Sequence, residues 1–281
     1  MPPRPAPAPS PAPSPADRGV PHAPHGLHGL HGQDGPDVRR RLVAARVTGV
    51  HPTLSGAAVR AGVRALVAGT PRARLGCDGL QGCDRAEVEA ALRATHGPDA
   101  VAVRAAIDPD ATRAGLRAAG ARVRAAAAAG ARVAVATGRP ASLLGLARWA
   151  ADTVRAGGGT PAEEVTATVD GGGRRSLWWI DGVAVLTDGR ALLADDGGPA
   201  GDDWLFAVGR PDLVVADGGF AGAALRAGVE TVAWTDLDAP ALALAAARGR
   251  PLVVVPLVVG RPAADYAAAR AVLEDGSAPP G

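Results

Sequence analysis

Three polar turns, each following an apolar run, carry the residue types most suited to chemistry. In Thr137-Gly138-Arg139-Pro140-Ala141-Ser142, the absent side chain at Gly138 would let a ligand approach the backbone. Amides at the start of the following helix would favour an anion. Arg139 would grip phosphate or carboxylate bidentately, and Thr137 and Ser142 would add hydroxyl donors. The same residues also make an ordinary strand-to-helix turn, with Pro140 in the first helical turn. In Asp217-Gly218-Gly219-Phe220-Ala221-Gly222, a carboxylate ends a hydrophobic run. It would hold a divalent cation such as Mg or Mn, or exchange a proton with a leaving group. Gly218 and Gly219 would leave room for the substrate. Asp217 would alternatively cap the next helix. In Thr235-Asp236-Leu237-Asp238-Ala239-Pro240, one Asp would cap the helix entered at Pro240 while the other faces the cleft. Asp217 and Asp236, as catalytic or metal-holding carboxylates opposite Arg139, would then form a pocket for a small phosphorylated or anionic molecule.

Such convergence requires parallel strands that end on one edge, where open α/β sheets bind their ligands. From Arg132 onward the chain alternates strand, glycine turn and helix. Arg132–Ala136, Glu163–Asp170, Asp212–Ala216, Val229–Thr235 and Leu252–Val259 read as strands. Single helices between them imply right-handed crossovers and a parallel sheet. Leu177–Ile180, Val183–Leu186 and Ala191–Leu193 are separated by Asp181-Gly182 and Asp188-Gly189, which predict hairpins and an antiparallel insertion. Residues 37–130 are helix-patterned, over Val38–Val47, Ser55–Val67, Glu87–Ala94 with Asp84 as N-cap, and from Asp110 to Ala129. That region would be a cap or accessory layer. The fold class is therefore α/β, a Rossmann-like sheet in one domain over residues 37–274.

Other readings are narrower. Residues 1–36 alternate Pro with Ala or Ser and then place His22, His25, His28 and His31 at every third position. This composition predicts a disordered tail, as does that of residues 275–281. The His spacing would chelate a metal weakly or reflect repeat expansion. Gly157–Gly159 reads as a linker and Asp170–Gly173 as a mobile loop or lid. No GxGxxG opens a helix after a strand, and with every basic residue an Arg there is no P-loop lysine, which disfavours classical NAD and ATP sites. His51 and His96 fall in the helical part and read as surface or turn residues. Cys77 and Cys83 are expected as reduced thiols.

With 30 basic against 28 acidic residues the net charge is +2, and the Arg residues are scattered except at Arg39–Arg41. No nucleic-acid partner is expected. There is no apolar run of the ~20 residues a membrane span needs, and no signal-peptide pattern. The expectation is a cytoplasmic protein.

Across residues 39–266 the chain resembles a family of bacterial proteins, frequent in actinobacteria and designated phosphatase. The resemblance is carried by Ile107-Asp108-Pro109, Val135-Ala136-Thr137-Gly138-Arg139-Pro140 and Leu213–Gly222, and continues through Asp238–Leu242 and Pro251–Leu257. It implies a phosphatase-like fold and phosphomonoester hydrolysis. The family pattern reads Ala-Thr-Gly-His-Pro and Asp-His-Gly-Trp-Ala-Gly, and this chain has Arg139 and Gly218 where those histidines stand.

Overall fold

Val, Leu and Ala dominate the strand segments, so both faces of each strand can be buried, as a parallel sheet requires. In the computed structural model, which describes residues 34–162, 165–169, 175–195, 197 and 199–275, they do pair in parallel. The chain divides after Asp34 into two units. The sheets and the site lie in the second.

The main sheet is built from β3 (Arg132–Val135), β4 (Thr160–Pro161), β9 (Leu213–Asp217), β10 (Glu230–Thr235) and β11 (Leu252–Pro256). Its order is β11-β10-β9-β3-β4, all parallel. From β3 the chain moves outward to β4 on one side. It later re-enters at β9, on the other side, and continues outward to β10 and β11. The direction of winding therefore reverses between β3 and β9, the place where such sheets open a crevice.

Strand residues alternate between two cores. Val133, Val135, Leu213, Val215, Val232 and Trp234 face one, which also takes residues of α1 (Asp34–Ala44), α5 (Pro109–Ala128), α6 (Pro140–Ala156) and α10 (Ala267–Asp275). Ala134, Ala136, Val214, Ala216 and Ala233 face the other. That core is covered by α7 (Ala200–Val208), α8 (Gly218–Arg226) and α9 (Pro240–Ala247), with α2 (Gly56–Val67) and α4 (Arg85–His96) packed outside α9. The N-terminal helical region is thus split. Its helices α2 and α4 form an outer layer, while α5 packs directly on β11.

Small residues make this closeness possible. A Cβ on Gly222 in α8 would overlap the Leu75 carbonyl, which follows the short helix α3 (Pro71–Arg74). One on Gly115 in α5 would sit 2.7 Å from the Val254 carbonyl oxygen.

The antiparallel insertion forms a sheet of β5 (Thr168–Val169), β6 (Arg175–Ile180), β7 (Val183–Thr187) and β8 (Leu192–Leu193). Asp181 and Gly182 both have positive φ, 51° and 83°, as the predicted two-residue hairpin turn demands. Asp188-Gly189 differs. Asp188 bonds the Arg190 and Ala191 amides, making a longer loop in which only Gly189 turns left-handed.

The predicted strand Glu163–Asp170 is corrected. Among the described residues only Thr168–Val169 (β5) of it is strand, in the antiparallel sheet; β4, the edge of the parallel sheet, precedes it at Thr160–Pro161. Gly157–Gly159 is the turn from α6 into β4 rather than a linker, and α7 was not foreseen. The first helix begins at Asp34, before the predicted start at Val38. The Pro/His-rich segment with His22, His25, His28 and His31, the Asp170–Gly173 run and residues 276–281 lie outside the described residues. Among the described residues no helix is long and apolar enough to cross a membrane.

Candidate functional site

Asp217 ends β9, where its strand neighbours carry only apolar side chains and α8 starts at the next residue. Its carboxylate does not cap that helix. It crosses the switch point to the end of β3 instead, where Oδ1 accepts from the Gly138 amide at 2.5 Å and Oδ2 from the Thr137 hydroxyl at 3.0 Å. Thr137 Oγ1 in turn accepts from the Arg139 amide at 3.0 Å. The Thr-Gly turn therefore serves as a cradle for a carboxylate. The amides of Gly138 and Arg139, read from sequence as free to meet an anion, are already engaged.

Only 3% of Asp217 is exposed. Burial raises its carboxyl to about 6, against the opposing pull of the Gly138 and Thr137 hydrogen bonds and the Arg139 charge; Asp195 adds to the rise. An acid poised near neutrality can both give and take a proton.

Asp195, which the sequence did not flag, comes from the insertion. The end of β3 is continued by β7, through a parallel bridge between Ala136 and Ala184 and a bond from the Thr137 amide to the Ala184 carbonyl. The chain leaving β8 is thereby brought back to the rim. There the Asp195 amide donates to the Gly138 carbonyl at 2.9 Å. Gly138 thus links the two acids, its N–H to Asp217 and its C=O to Asp195. A Cβ at this position would lie 2.6 Å from that of Asp195 and 3.3 Å from Asp217 Oδ1, so glycine is required here for close approach of protein groups.

Asp236, just beyond β10, is 5% exposed. It accepts from the Leu237 amide at 2.7 Å, the Val259 amide at 2.7 Å and His51 Nε2 at 3.1 Å. Neither Asp236 nor Asp238 caps α9, whose N-cap Ala239 has no side-chain bond. Asp238 instead stands 3.5 Å from the Arg139 guanidinium, both side chains being about half exposed at 47% and 40%.

These groups share one cavity of about 500 Å³. Its polar lining is Thr70, Arg72, Arg139, Asp195, Asp217, Asp236 and Asp238, and Gly218, Leu75, Trp234 and Val259 are among the residues that close it. Its size suits a small molecule. Gly218 has φ +50°, and a Cβ there would meet Asp195 only in ordinary contact, 3.9 Å from Oδ2. Thr137 and Gly138 support the floor from beneath, and Gly219 packs against Asp195. Ser142 is placed elsewhere. It is buried beside the Tyr266 hydroxyl and does not line the cavity.

His96 is neither at the surface nor in a turn, and His51 does lie in a turn segment but with its ring buried. His51 is buried against Asp236. His96 is fully buried between the Thr95 and Thr235 hydroxyls, where burial lowers its imidazole to about 4. Cys77 and Cys83 are both free and buried, and burial pushes the Cys77 thiol up to about 12. Among the described residues, no three carboxylate, imidazole or thiol groups converge to hold a metal ion. The protein's own donors already occupy both oxygens of Asp217 and of Asp236.

The family model for Phosphatase matches residues 33–274, which include every strand and every residue of the cleft. The chain belongs to the Phosphatase family. A Streptomyces coelicolor protein named Phosphatase SCO2771 is 37% identical over 158 residues, 54% of this chain and 59% of its own length. The chain therefore matches about three fifths of that relative. No solved structure matches significantly. The family match starts six residues before and ends eight residues after the span of resemblance read from the motifs.

Proposed function

We propose that the cleft hydrolyses the phosphomonoester of a small metabolite. One observation carries this reading: a buried carboxyl raised to about 6 and an arginine line one cavity at the sheet's switch point. Family membership supports the same chemistry. Arg139, released from Asp238, binds the phosphoryl oxygens, with Arg72 also in the cavity lining. Asp236 orients a water by accepting its hydrogen. The water oxygen bonds to phosphorus as the ester P–O bond breaks, and protonated Asp217 gives its proton to the departing oxygen. Fixed charges and dipoles supply most of the stabilisation, since phosphoryl transfer needs little covalent help from the protein. The Mg or Mn site expected on Asp217 and Asp236 finds no third ligand among the described residues, and no step is assigned to a metal.

Purified protein assayed against a panel of phosphate esters, with and without Mg²⁺ and Mn²⁺, tests the proposal. Turnover should fall about 10²- to 10⁴-fold in Asp217→Asn, the usual contribution of a positioned general acid. Undiminished turnover would remove the assignment.

A second reading has its own support. Arg139 and Gly218 occupy positions where the family pattern has histidine, which favours a paralogue that binds a small anion or a partner without turning it over. Thermal stabilisation by phosphate with no hydrolysis of any ester would select it.

A further inference from the structure

His51 sits outside the machinery assigned above, yet its surroundings are fully specified. It lies between β1 (Gly49–Val50) and α2, in a segment that belongs to neither the sheet rim nor the insertion. Its side chain is 4% exposed. Nδ1 accepts from the Leu54 amide at 2.8 Å and from the Thr53 amide at 3.3 Å. A nitrogen that accepts cannot carry the proton of a neutral imidazole, so the proton must be on Nε2. Nε2 is the atom facing Asp236 Oδ2.

We propose that His51 is a positioning residue whose backbone-locked tautomer clamps the Asp236 carboxylate in the orientation that serves the cleft. Of the roughly four lone-pair sites of a carboxylate, three are filled from separate segments. Leu237 supplies one from the β10 exit, Val259 one from beyond β11, and His51 one from the N-terminal region. Leu237 holds Oδ1 and Val259 holds Oδ2, and the imidazole reinforces that orientation with a second donor on Oδ2 from a third direction. A base role is excluded by the same geometry. The Nδ1 lone pair already receives backbone N–H groups, and Nε2 points at a carboxylate rather than into the cavity. The arrangement also gives the N-terminal region a part in the site, since that region supplies the third donor.

The clamp rests on the reading of the cleft as the reaction site, and the test separates the two. Three variants of the full chain divide the functions of the ring. His51→Gln keeps an N–H donor near the Nε2 position. His51→Asn keeps only an acceptor near Nδ1, for Leu54. His51→Ala keeps neither. With p-nitrophenyl phosphate as substrate, His51→Ala and His51→Asn should lose about 10- to 100-fold in kcat, the size of a lost hydrogen bond to a charged group. KM should move less than about threefold, because Arg139 is untouched. His51→Gln should recover most of the loss. Equal kcat in Gln and Ala, or a loss confined to KM, would overturn the proposal. A second readout needs no turnover. Imidazole ¹⁵N chemical shifts should show the Nε2–H tautomer in the wild type and, because the backbone amides still hold Nδ1, in Asp236→Ala as well. An Nδ1–H ring in the wild type would overturn the clamp. Absence of wild-type hydrolysis would count against the proposed reaction alone, leaving the tautomer to decide the clamp.

Discussion

Replacing Asp217 by Asn should make the protein more stable while removing its reaction. A carboxyl raised from its ordinary 3.8 to about 6 is one that the folded state would rather keep protonated. At ~1.36 kcal/mol per pH unit, ionising it in the fold costs about 3 kcal/mol. The sign follows from proton counting. Between pH 4 and 6 the native state holds the proton and the unfolded chain does not, so this group's stabilising share is whole below the unfolded pKa and is lost as pH rises through about 6. Asn never ionises and can keep the local bonds, its carbonyl accepting from Gly138 and its amide donating to Thr137 Oγ1. Asp217→Asn should therefore gain roughly 1–3 kcal/mol at pH 8, or about 3–10 °C in Tm for a unit of this size, and nothing near pH 4. The wild-type pH curve will not reveal this by itself. His96, lowered from 6.5 to about 4 by burial, contributes a comparable ~3 kcal/mol of opposite slope, present above 6.5 and lost as pH falls towards 4. The difference between variant and wild type cancels His96. Denaturant melts of both proteins at pH 4.5, 6 and 8 test the reasoning. A variant destabilised equally at all three would refute it.

Other outcomes follow from the same geometry. If Asp217 acts as an acid, kcat/KM should decline as pH rises through about 6, and a profile rising over that range would assign the residue to another task. Gly138→Ala forces its Cβ to 2.6 Å from that of Asp195; it should lower kcat at least about 10-fold by displacing the acids, measurable in steady-state kinetics. Arg139→Gln should raise KM for phosphate esters about 10-fold or more, as loss of a charge-assisted bond would, with little change in Tm because its ion pair with Asp238 is half exposed. Gly222→Ala should cost about 1–3 kcal/mol, the range for overpacking, since its methyl would meet the Leu75 backbone rather than a yielding side chain; chemical denaturation reads it.

Strand ends were legible in the sequence because apolar runs stop abruptly there. Thr137-Gly138-Arg139 and Asp217-Gly218 mark two of them, and the parallel alternation places both on one edge. What the carboxylate does at that edge was not legible. Capping and clefting leave the same letters, and only the side-chain direction separates them. Asp195 lay in Leu193-Ala194-Asp195, a stretch with the appearance of an ordinary loop. It reaches the rim through the pairing of Ala184 with Ala136, a contact that no local pattern encodes. His96 did leave a trace, since Val88, Leu92 and His96 follow one another at four-residue spacing and all are buried, placing the imidazole on the inner face of α4. His51, between Val50 and Pro52, had no periodicity to reveal it. Of the strand predicted over Glu163–Asp170, the described residues keep only Thr168–Val169, paired with β6 in the antiparallel sheet, a choice of partner set by tertiary pairing rather than propensity.

Co-crystallisation with a heavy oxyanion such as tungstate puts the central geometric claim to its most direct test. The anion should lie in the cleft at the switch between β3 and β9, touching Arg139 and displacing Asp238 from it, with Asp217 facing it across the cavity. Occupancy only at another surface, for instance near Arg226 beside α7 and α8, would contradict the account.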